Sequence, residues 1–434
     1  MKILSPYVHY TRVSKGDIII LDSYNNNIFR ISVNKSDRFF WYVNHPNDIN
    51  NDNSLVHNNI IVDEDSFDGV DLLGEFKNKK DYLHLVILPT EDCNFRCSYC
   101  YEEHHTRSMD EDVINSIIKF VEERIPEFEA LRIEWFGGEP LISKDIVFTL
   151  SEAFIQICKK YRKPYYASMT TNGYYLDIAT FKKLFRYKVV RYQITLDGMK
   201  DYHDNQRYLS DGSGSFDTIV ENLRAIRDNI KSNFFNITIR SNITPENREQ
   251  FSNFLDFVKK EFSNDARFNF LWKIAWKPNS KSCDTYLDQS SLRGVLKESS
   301  IRKLKLDTSR RQMMKFGNIC YACNKNSFII GPGGNLYKCT VAFDKEINNI
   351  GKLLSSGEMR IDQNKYRFWT EEKTDCKTKA CLKCFLYPSC LGIYCNLNNQ
   401  DENQNFLCSG FKTYVDDYLN CIAECGDDII NLEI

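Results

Sequence analysis

Three cysteines fall within eight residues of the stretch EDCNFRCSYCYEE, as Cys93, Cys97 and Cys100. Thiolates are soft ligands, suited to zinc or to iron–sulfur clusters. A structural zinc site closes with four ligands, and His104 and His105 stand near enough in sequence to be weighed as the fourth. In a four-iron cluster, three thiolates leave one iron to coordinate something else. An open position on a metal marks chemistry more often than scaffolding. A second crowd of cysteines runs as Cys320-x2-Cys323-x15-Cys339, then Cys381-x2-Cys384-x5-Cys390-x4-Cys395-x12-Cys408. Those eight thiolates suffice for two closed four-ligand sites, and two zinc sites satisfy the same arithmetic. In a reducing compartment such crowding argues for metal over disulfides, because a secreted disulfide scaffold would be smaller and would carry a targeting segment.

Elements that position these ligands follow from hydrophobic patterning. The 434 residues are 42% hydrophobic and 27% charged with a formal net charge of −2, which fits a globular chain and supplies no general field for nucleic acid. MKILSPYVHYTR lacks a long apolar core, and no run approaches the roughly 18 apolar residues of a membrane span. The expectation is a cytoplasmic protein with no nucleic-acid or membrane partner. Residues 1–80 read as a separate small α+β unit. In it GDIIILDSY and NIFRISV flank a turn at 25–27, and Ser36 or Asp37 is placed to cap a short helix. From residue 82, strand-like runs alternate with helical periodicity about six times, from YLHLVILP to ARFNFLWKIAW near 276. Such alternation demands a parallel sheet with helices outside, either open and doubly wound or a partial barrel, with ligands at the strands' carboxyl ends. Beyond about 310 periodicity fades while cysteine density rises, as in a segment held by metal. CGDDIINLEI at the end reads as a tail or a last short element.

CNFRCSYC resembles the radical S-adenosylmethionine (SAM) signature C-x3-C-x-φ-C, with Tyr99 at the aromatic position. The resemblance implies that Cys93, Cys97 and Cys100 hold a [4Fe–4S] cluster whose open iron binds SAM. Reductive cleavage of SAM would then give a 5′-deoxyadenosyl radical that abstracts hydrogen from a substrate, with the cofactors carrying the hard chemistry. FGGEP resembles the family's Gly-Gly-Glu-Pro, so Gly137, Gly138 and Glu139 are expected near the SAM amino group. TTNG places Thr171 and Asn172 near the ribose, and ITLDG with HDNQR assigns Thr195 and Arg207 to polar contacts with SAM. Arg207 suits the carboxylate, because a guanidinium fork matches it. Taken alone, Asp197-Gly198 is an ordinary turn and His203 a surface residue. No catalytic acid or base is assigned.

The second zone resembles the SPASM extension of radical SAM enzymes that modify peptides, through Gly334-x4-Cys339 followed by C-x2-C-x5-C. The family's interleaving implies one auxiliary [4Fe–4S] cluster on Cys320, Cys323, Cys339 and Cys395, and another on Cys381, Cys384, Cys390 and Cys408. The implied fold is a radical SAM partial (β/α)6 barrel over residues 81–309, an N-terminal winged-helix-like domain over 1–80 and a SPASM domain over 310–434. The N-terminal unit is expected to grip a leader sequence by β-augmentation. Implied partners are a precursor peptide and an electron donor such as flavodoxin or ferredoxin. The expected reaction is an intramolecular thioether or carbon–carbon cross-link in a ribosomally made peptide. Alternatives are oxidation of Cys or Ser in a sulfatase to formylglycine, peptide epimerisation, and a non-enzymatic iron–sulfur or zinc scaffold. Sulfatase-maturing relatives often place an aspartate after the Gly-x4-Cys cysteine, where this chain has Thr340, with Asp344 nearby. Cys158 reads as a buried small side chain, and Cys283, Cys376, Cys421 and Cys425 carry no assigned role.

Overall fold

The computed structural model describes residues 1–66, 81–275, 287–288, 291–307, 320–371, 379–390, 397, 410–425 and 429–434. They group into two compact units, Met1–Lys79 with Gln289–Cys320 and Glu372–Ile434, and Lys80–Asp288 with Tyr321–Glu371. The change of texture near residue 80 is thus a boundary between units, while the cysteine-rich segment is divided between them.

In the first unit, β1 (Lys2–Leu4) precedes an antiparallel meander of β2 (Val8–Arg12), β3 (Ile18–Asp22) and β4 (Asn27–Ile31). The β3–β4 turn closes through Asn26 at φ 58°, a left-handed conformation that asparagine tolerates. Helix α1 spans Ser36–Asn44. Neither Ser36 nor Asp37 caps it, contrary to expectation. A 3-10 turn at Val33–Lys35 runs straight into the helix, and Asp37 lies in the first turn, where its charge favours the helix dipole. Helix α2 (Ser54–His57), capped by Asn53, leads to β5 (Ile61–Asp63), which pairs with β1. Ile18, Ile20, Phe29, Ile31, Phe39 and Leu55 form a dry core between the meander and the helices.

The second unit is built on one ten-stranded sheet. Six of its parallel strands stand in consecutive order: β6 (Tyr82–Ile87), β7 (Ala130–Trp135), β8 (Tyr165–Thr171), β9 (Val189–Thr195), β10 (Asn236–Ile243) and β11 (Phe268–Ile274). Crossover helices are α3 (Glu111–Arg124), α4 (Lys144–Lys160), α5 (Ile178–Arg186), α6 (Phe216–Asn229) and α7 (Phe251–Glu261). This is the strand order of a partial (β/α)6 barrel. Asp110 and Asp177 cap α3 and α5 by accepting from Val113 N and Thr180 N. Helix α7 starts only at Phe251, because Thr244 and Asn247 first close a capping box over Pro245–Arg248.

Strand β10, NITIRSNI, shows why the sheet has two characters. Ile237, Ile239 and Ile243 are fully buried on one face, while Thr238, Arg240 and Asn242 alternate onto the other. Each buried isoleucine stabilises the sheet by about 1.5–3 kcal/mol. The polar face is free to carry a site. On the far side of β6, β12 (Ser327–Ile330) adds in parallel, followed antiparallel by β13 (Asn335–Tyr337), β14 (Asn349–Leu353) and β15 (Met359–Ile361). His84 Nδ1 meets Ser327 Oγ at 2.8 Å across the β6–β12 pair. Among the described residues no helix is long and apolar enough to cross a membrane.

Candidate functional site

The cysteine loop leaves the carboxyl end of β6, where a parallel sheet presents its ligands. It is pinned from two sides. Arg96 N donates to Tyr208 O, Ser98 N to Gln206 O, and Ser210 N to Asn94 O, so residues 94–98 run along the segment that holds Arg207. On the other side Glu139 N donates to Asp92 O at 2.8 Å. The paired glycines explain this close approach. A Cβ at Gly137 would lie 2.4 Å from Thr90 O, and one at Gly138 would lie 2.3 Å from Asp92 O. The space they free is filled by the backbone of the cysteine loop.

Glu139 is fully buried and satisfied within the protein. Its Oε1 accepts from Leu141 N and Thr171 Oγ1 at 3.0 and 2.7 Å, and its Oε2 accepts from Asn172 N at 2.7 Å. Burial pushes its carboxyl up, and those hydrogen bonds oppose the shift. Thr171 and Asn172 are thereby fixed at the end of β8, and Asn172 Nδ2 donates to Asn94 Oδ1 in the cysteine loop at 2.8 Å. The sequence-predicted residues of the second, third and fourth strands are therefore brought together around the loop. Thr195 is buried at the end of β9, level with Arg240 of β10.

A second buried network holds Tyr99 and Arg207. Arg207 Nη1 donates to the Tyr99 hydroxyl at 2.8 Å, and that hydroxyl donates to Asp197 Oδ2. Asp197 Oδ1 accepts from Asn242 N at 2.7 Å, and Asn247 Nδ2 donates to Asp197 O at 2.7 Å. Asp197 N donates to His203 Nδ1 at 3.2 Å, so the proton sits on Nε2, which donates to Ser215 Oγ. Asp197 and His203 are both 0% exposed, so His203 is not the surface residue it suggests when taken alone. Burial raises the Asp197 carboxyl, with Arg207 pulling it back, and burial together with Arg207 holds His203 far below its ordinary value. Asn242 and Asn247 belong to no motif and escape sequence reasoning. The alternation of β10 is the signal that could have placed Asn242 on the polar face.

One group in this network is unfinished. Arg207 is buried, and its Nε has no hydrogen-bond partner. A buried guanidinium with an idle donor beside three thiols suits an anionic ligand such as a carboxylate. Burial pushes the Cys93 thiol up to about 12 and Cys100 up to about 11, and raises Cys97. Metal binding would have to offset that cost, since the ligand form is the thiolate. Among the described residues no three His, Cys, Asp or Glu side chains converge as a single ion would require. A cluster makes no such demand, because it gives each thiolate its own iron. Donor chemistry and the idle Arg207 donor therefore fit a cluster with a carboxylate-bearing ligand bound beside it. A cavity of about 490 Å³ lined by Phe120, Arg124, Phe328, Met359 and Ile361 includes none of these residues.

The described residues of the second cysteine zone are divided between the two units. Cys323 and Cys339 are buried in the second unit, and Asn348 clamps the Cys339 turn. Its Oδ1 accepts from Lys338 N and Cys339 N, and its Nδ2 donates to Cys339 O at 2.8 Å. Thr340 is held by the Tyr321 hydroxyl at 2.7 Å, while Asp344 is exposed and paired with Lys345. In the first unit Cys320, Cys381, Cys384 and Cys390 are partly buried, with Cys384 N donating to Cys381 O in a turn. Cys283, Cys376, Cys395 and Cys408 lie outside the described residues. Cys158 is buried in α4, as read. Cys421 and Cys425 share a helix face, with Cys425 Sγ 2.9 Å from Leu304 O.

Comparison with known proteins converges on the same region. Residues 87–258 match the radical SAM superfamily. The chain is 32% identical over 136 residues to GTP 3′,8-cyclase of Nautilia profundicola, which is 30% of this chain and 39% of the relative. It thus spans well under half of that protein. It is 24% identical over 368 residues to the cysteine-type anaerobic sulfatase-maturating enzyme of Clostridium novyi, covering 76% of this chain and 94% of the relative. Among solved structures, anSMEcpe with bound AdoMet and Kp18Cys peptide superposes with a TM-score of 0.59 at 18% identity, over 80% of this chain and 97% of that one. Streptococcus suis SuiB bound to precursor peptide SuiA gives 0.52 at 17% identity, over 94% and 99%. The fold is therefore the α/β radical SAM fold expected. Over residues 87–258 the chain is similar to the radical SAM superfamily.

Proposed function

We propose that the chain is a radical SAM enzyme that modifies a ribosomally made precursor peptide, forming an intramolecular thioether or carbon–carbon cross-link. The observation that carries the reading is the idle Nε of buried Arg207, beside Tyr99 and the three-thiol loop. Cys93, Cys97 and Cys100 would hold a [4Fe–4S] cluster, and Arg207 with Thr195, Thr171, Asn172 and Glu139 would shape the SAM pocket. When bound, the cluster and SAM supply a 5′-deoxyadenosyl radical that removes hydrogen from the substrate. The protein's part is positional. Glu139 fixes the Thr171–Asn172 turn, Gly137 and Gly138 admit the cysteine loop, and Asp197 holds the Tyr99 hydroxyl to which Arg207 donates.

Two auxiliary [4Fe–4S] clusters on Cys320, Cys323, Cys339 and Cys395, and on Cys381, Cys384, Cys390 and Cys408, complete the proposal. So do a flavodoxin or ferredoxin donor, a cytoplasmic setting and a leader-binding role for residues 1–80. The likeness to peptide-bound anSMEcpe and SuiB supports a peptide substrate. Formylglycine formation is the second reading, supported by the 94% coverage of the sulfatase-maturating relative. Against it, Thr340 is tied to Tyr321 and Asp344 faces solvent, which leaves no aimed carboxylate at that turn. The test is anaerobic incubation of a candidate peptide encoded beside this gene with enzyme, SAM and reductant. Loss of two hydrogens with an internal cross-link in tandem fragmentation, and 5′-deoxyadenosine formed, is the expected result. An unchanged peptide with no 5′-deoxyadenosine would contradict the proposal.

A further inference from the structure

The last residues of this sequence complete the sheet of the N-terminal meander. Strand β16 (Ile430–Asn431) pairs in parallel with β4, matching Ile430 to Phe29 and Asn431 to Arg30, and Leu432 N donates to Arg30 O at 2.8 Å. Leu432 is 6% exposed and joins the core made by Phe29, Ile31, Phe39 and Leu55, with Ile434 packed against its margin. Between those two aliphatic residues Glu433 points out to an ion pair with Lys35 just before α1. Ser54 Oγ donates to Glu433 O at 2.6 Å, and Arg38 Nη1 to Ile434 O at 3.2 Å.

That arrangement is strand addition to a sheet edge: backbone hydrogen bonds set the register, an apolar side chain enters the core, and a cation reads the acidic residue between. It is also a short grip. The ladder is two residues long, Ile430 is 46% exposed, and the Glu433 side chain is 85% exposed. Lys35, Arg38 and Ser54 all bond the tail itself.

We propose that the groove along β4 is the docking site for an extended peptide of aliphatic–acidic–aliphatic pattern, and that residues 429–434 fill it as an intramolecular competitor. The inference rests on the reading of residues 1–80 as the leader-binding unit and sharpens it: the leader must displace the tail. A site closed most of the time weakens apparent affinity by the fraction of time it is open. Removing the tail therefore strengthens peptide binding.

The test uses a fluorescein-labelled peptide Ile-Ile-Asn-Leu-Glu-Ile, the sequence of residues 429–434, titrated by anisotropy into three proteins. These are the full chain, the chain lacking residues 429–434, and full-length Leu432→Ser, each checked by circular dichroism. The probe is expected to bind the shortened chain about 10-fold or more tightly than the full chain, with Leu432→Ser between them. Lys35→Glu in the shortened chain is expected to abolish the gain. Equal binding to all forms, or none to the shortened chain when Leu432→Ser also fails to bind, would overturn the proposal. The leader reading is judged separately, with the candidate precursor peptide as displacing agent. If the probe discriminates between the proteins while the precursor neither displaces it nor gains affinity on truncation, the groove stands and the leader reading falls.

Discussion

The two cysteine regions differ in how much of their order the protein supplies by itself. Around Cys93, Cys97 and Cys100, every approach is fixed by buried polar contacts from four strands: Glu139 after β7, Asn172 after β8, Asp197 after β9 and Asn242 on β10. Around Cys381, Cys384 and Cys390 the described structure offers a turn and two four-residue helices, with partly buried thiols. The first is a preorganised site into which a cofactor fits. In the second, the proposed auxiliary cluster would contribute part of the local folding free energy. Loss of a ligand should therefore act on chemistry in the first region and on local structure in the second.

The largest expected effect is Cys97→Ala, which should reduce 5′-deoxyadenosine formation to background while the circular dichroism of the protein stays native. Unfolding of that variant would erase the contrast between the regions. Next is Cys384→Ala, which should remove about a third of the iron, if three equal clusters are present, and abolish peptide modification. Uncoupled SAM cleavage should persist in that variant, and proteolysis should cut near residues 379–390 more readily. Full peptide turnover by a variant depleted of that iron would reject the auxiliary role.

Arg207→Lys keeps the charge but loses the planar fork and the Nε donor, and should raise the SAM KM by about 10–100-fold. An unchanged KM would remove Arg207 from the nucleotide site. The smallest effect is a pH dependence. Burial, with Arg132 and Lys338 nearby, pushes the His84 imidazole down to about 3, although Glu134 stands 3.9 Å away. A lowered histidine binds its proton only in the unfolded state. Its contribution is therefore complete above about 6.5 and is lost as pH falls toward 3, about 2 kcal/mol by pH 5. Thermal unfolding between pH 7 and pH 5 should show that loss, and His84→Asn should flatten it.

Sequence legibility follows the same division. The alternating strands and helices were readable because a parallel sheet covered on its outer face imposes apolar runs, as in Ile237, Ile239 and Ile243. The motif residues were readable by resemblance. What the sequence did not show is how they are held. His203 and Asp197 look like surface residues by type, and only the tertiary fold reveals that they are fully buried and bonded to each other through Asp197 N. The helix start at Ser36 was misplaced because the preceding 3-10 turn does the work of a cap. The tail was open between two readings, since two residues of strand carry no periodicity at all.

The central claim is that the metal held by Cys93, Cys97 and Cys100 keeps a position open for SAM. Electron paramagnetic resonance of the anaerobically reduced chain, with and without SAM, addresses it most directly. The account predicts a change in one cluster's spectrum on adding SAM, retained in Cys384→Ala and absent in Cys97→Ala. Spectra indifferent to SAM in the intact chain would contradict it.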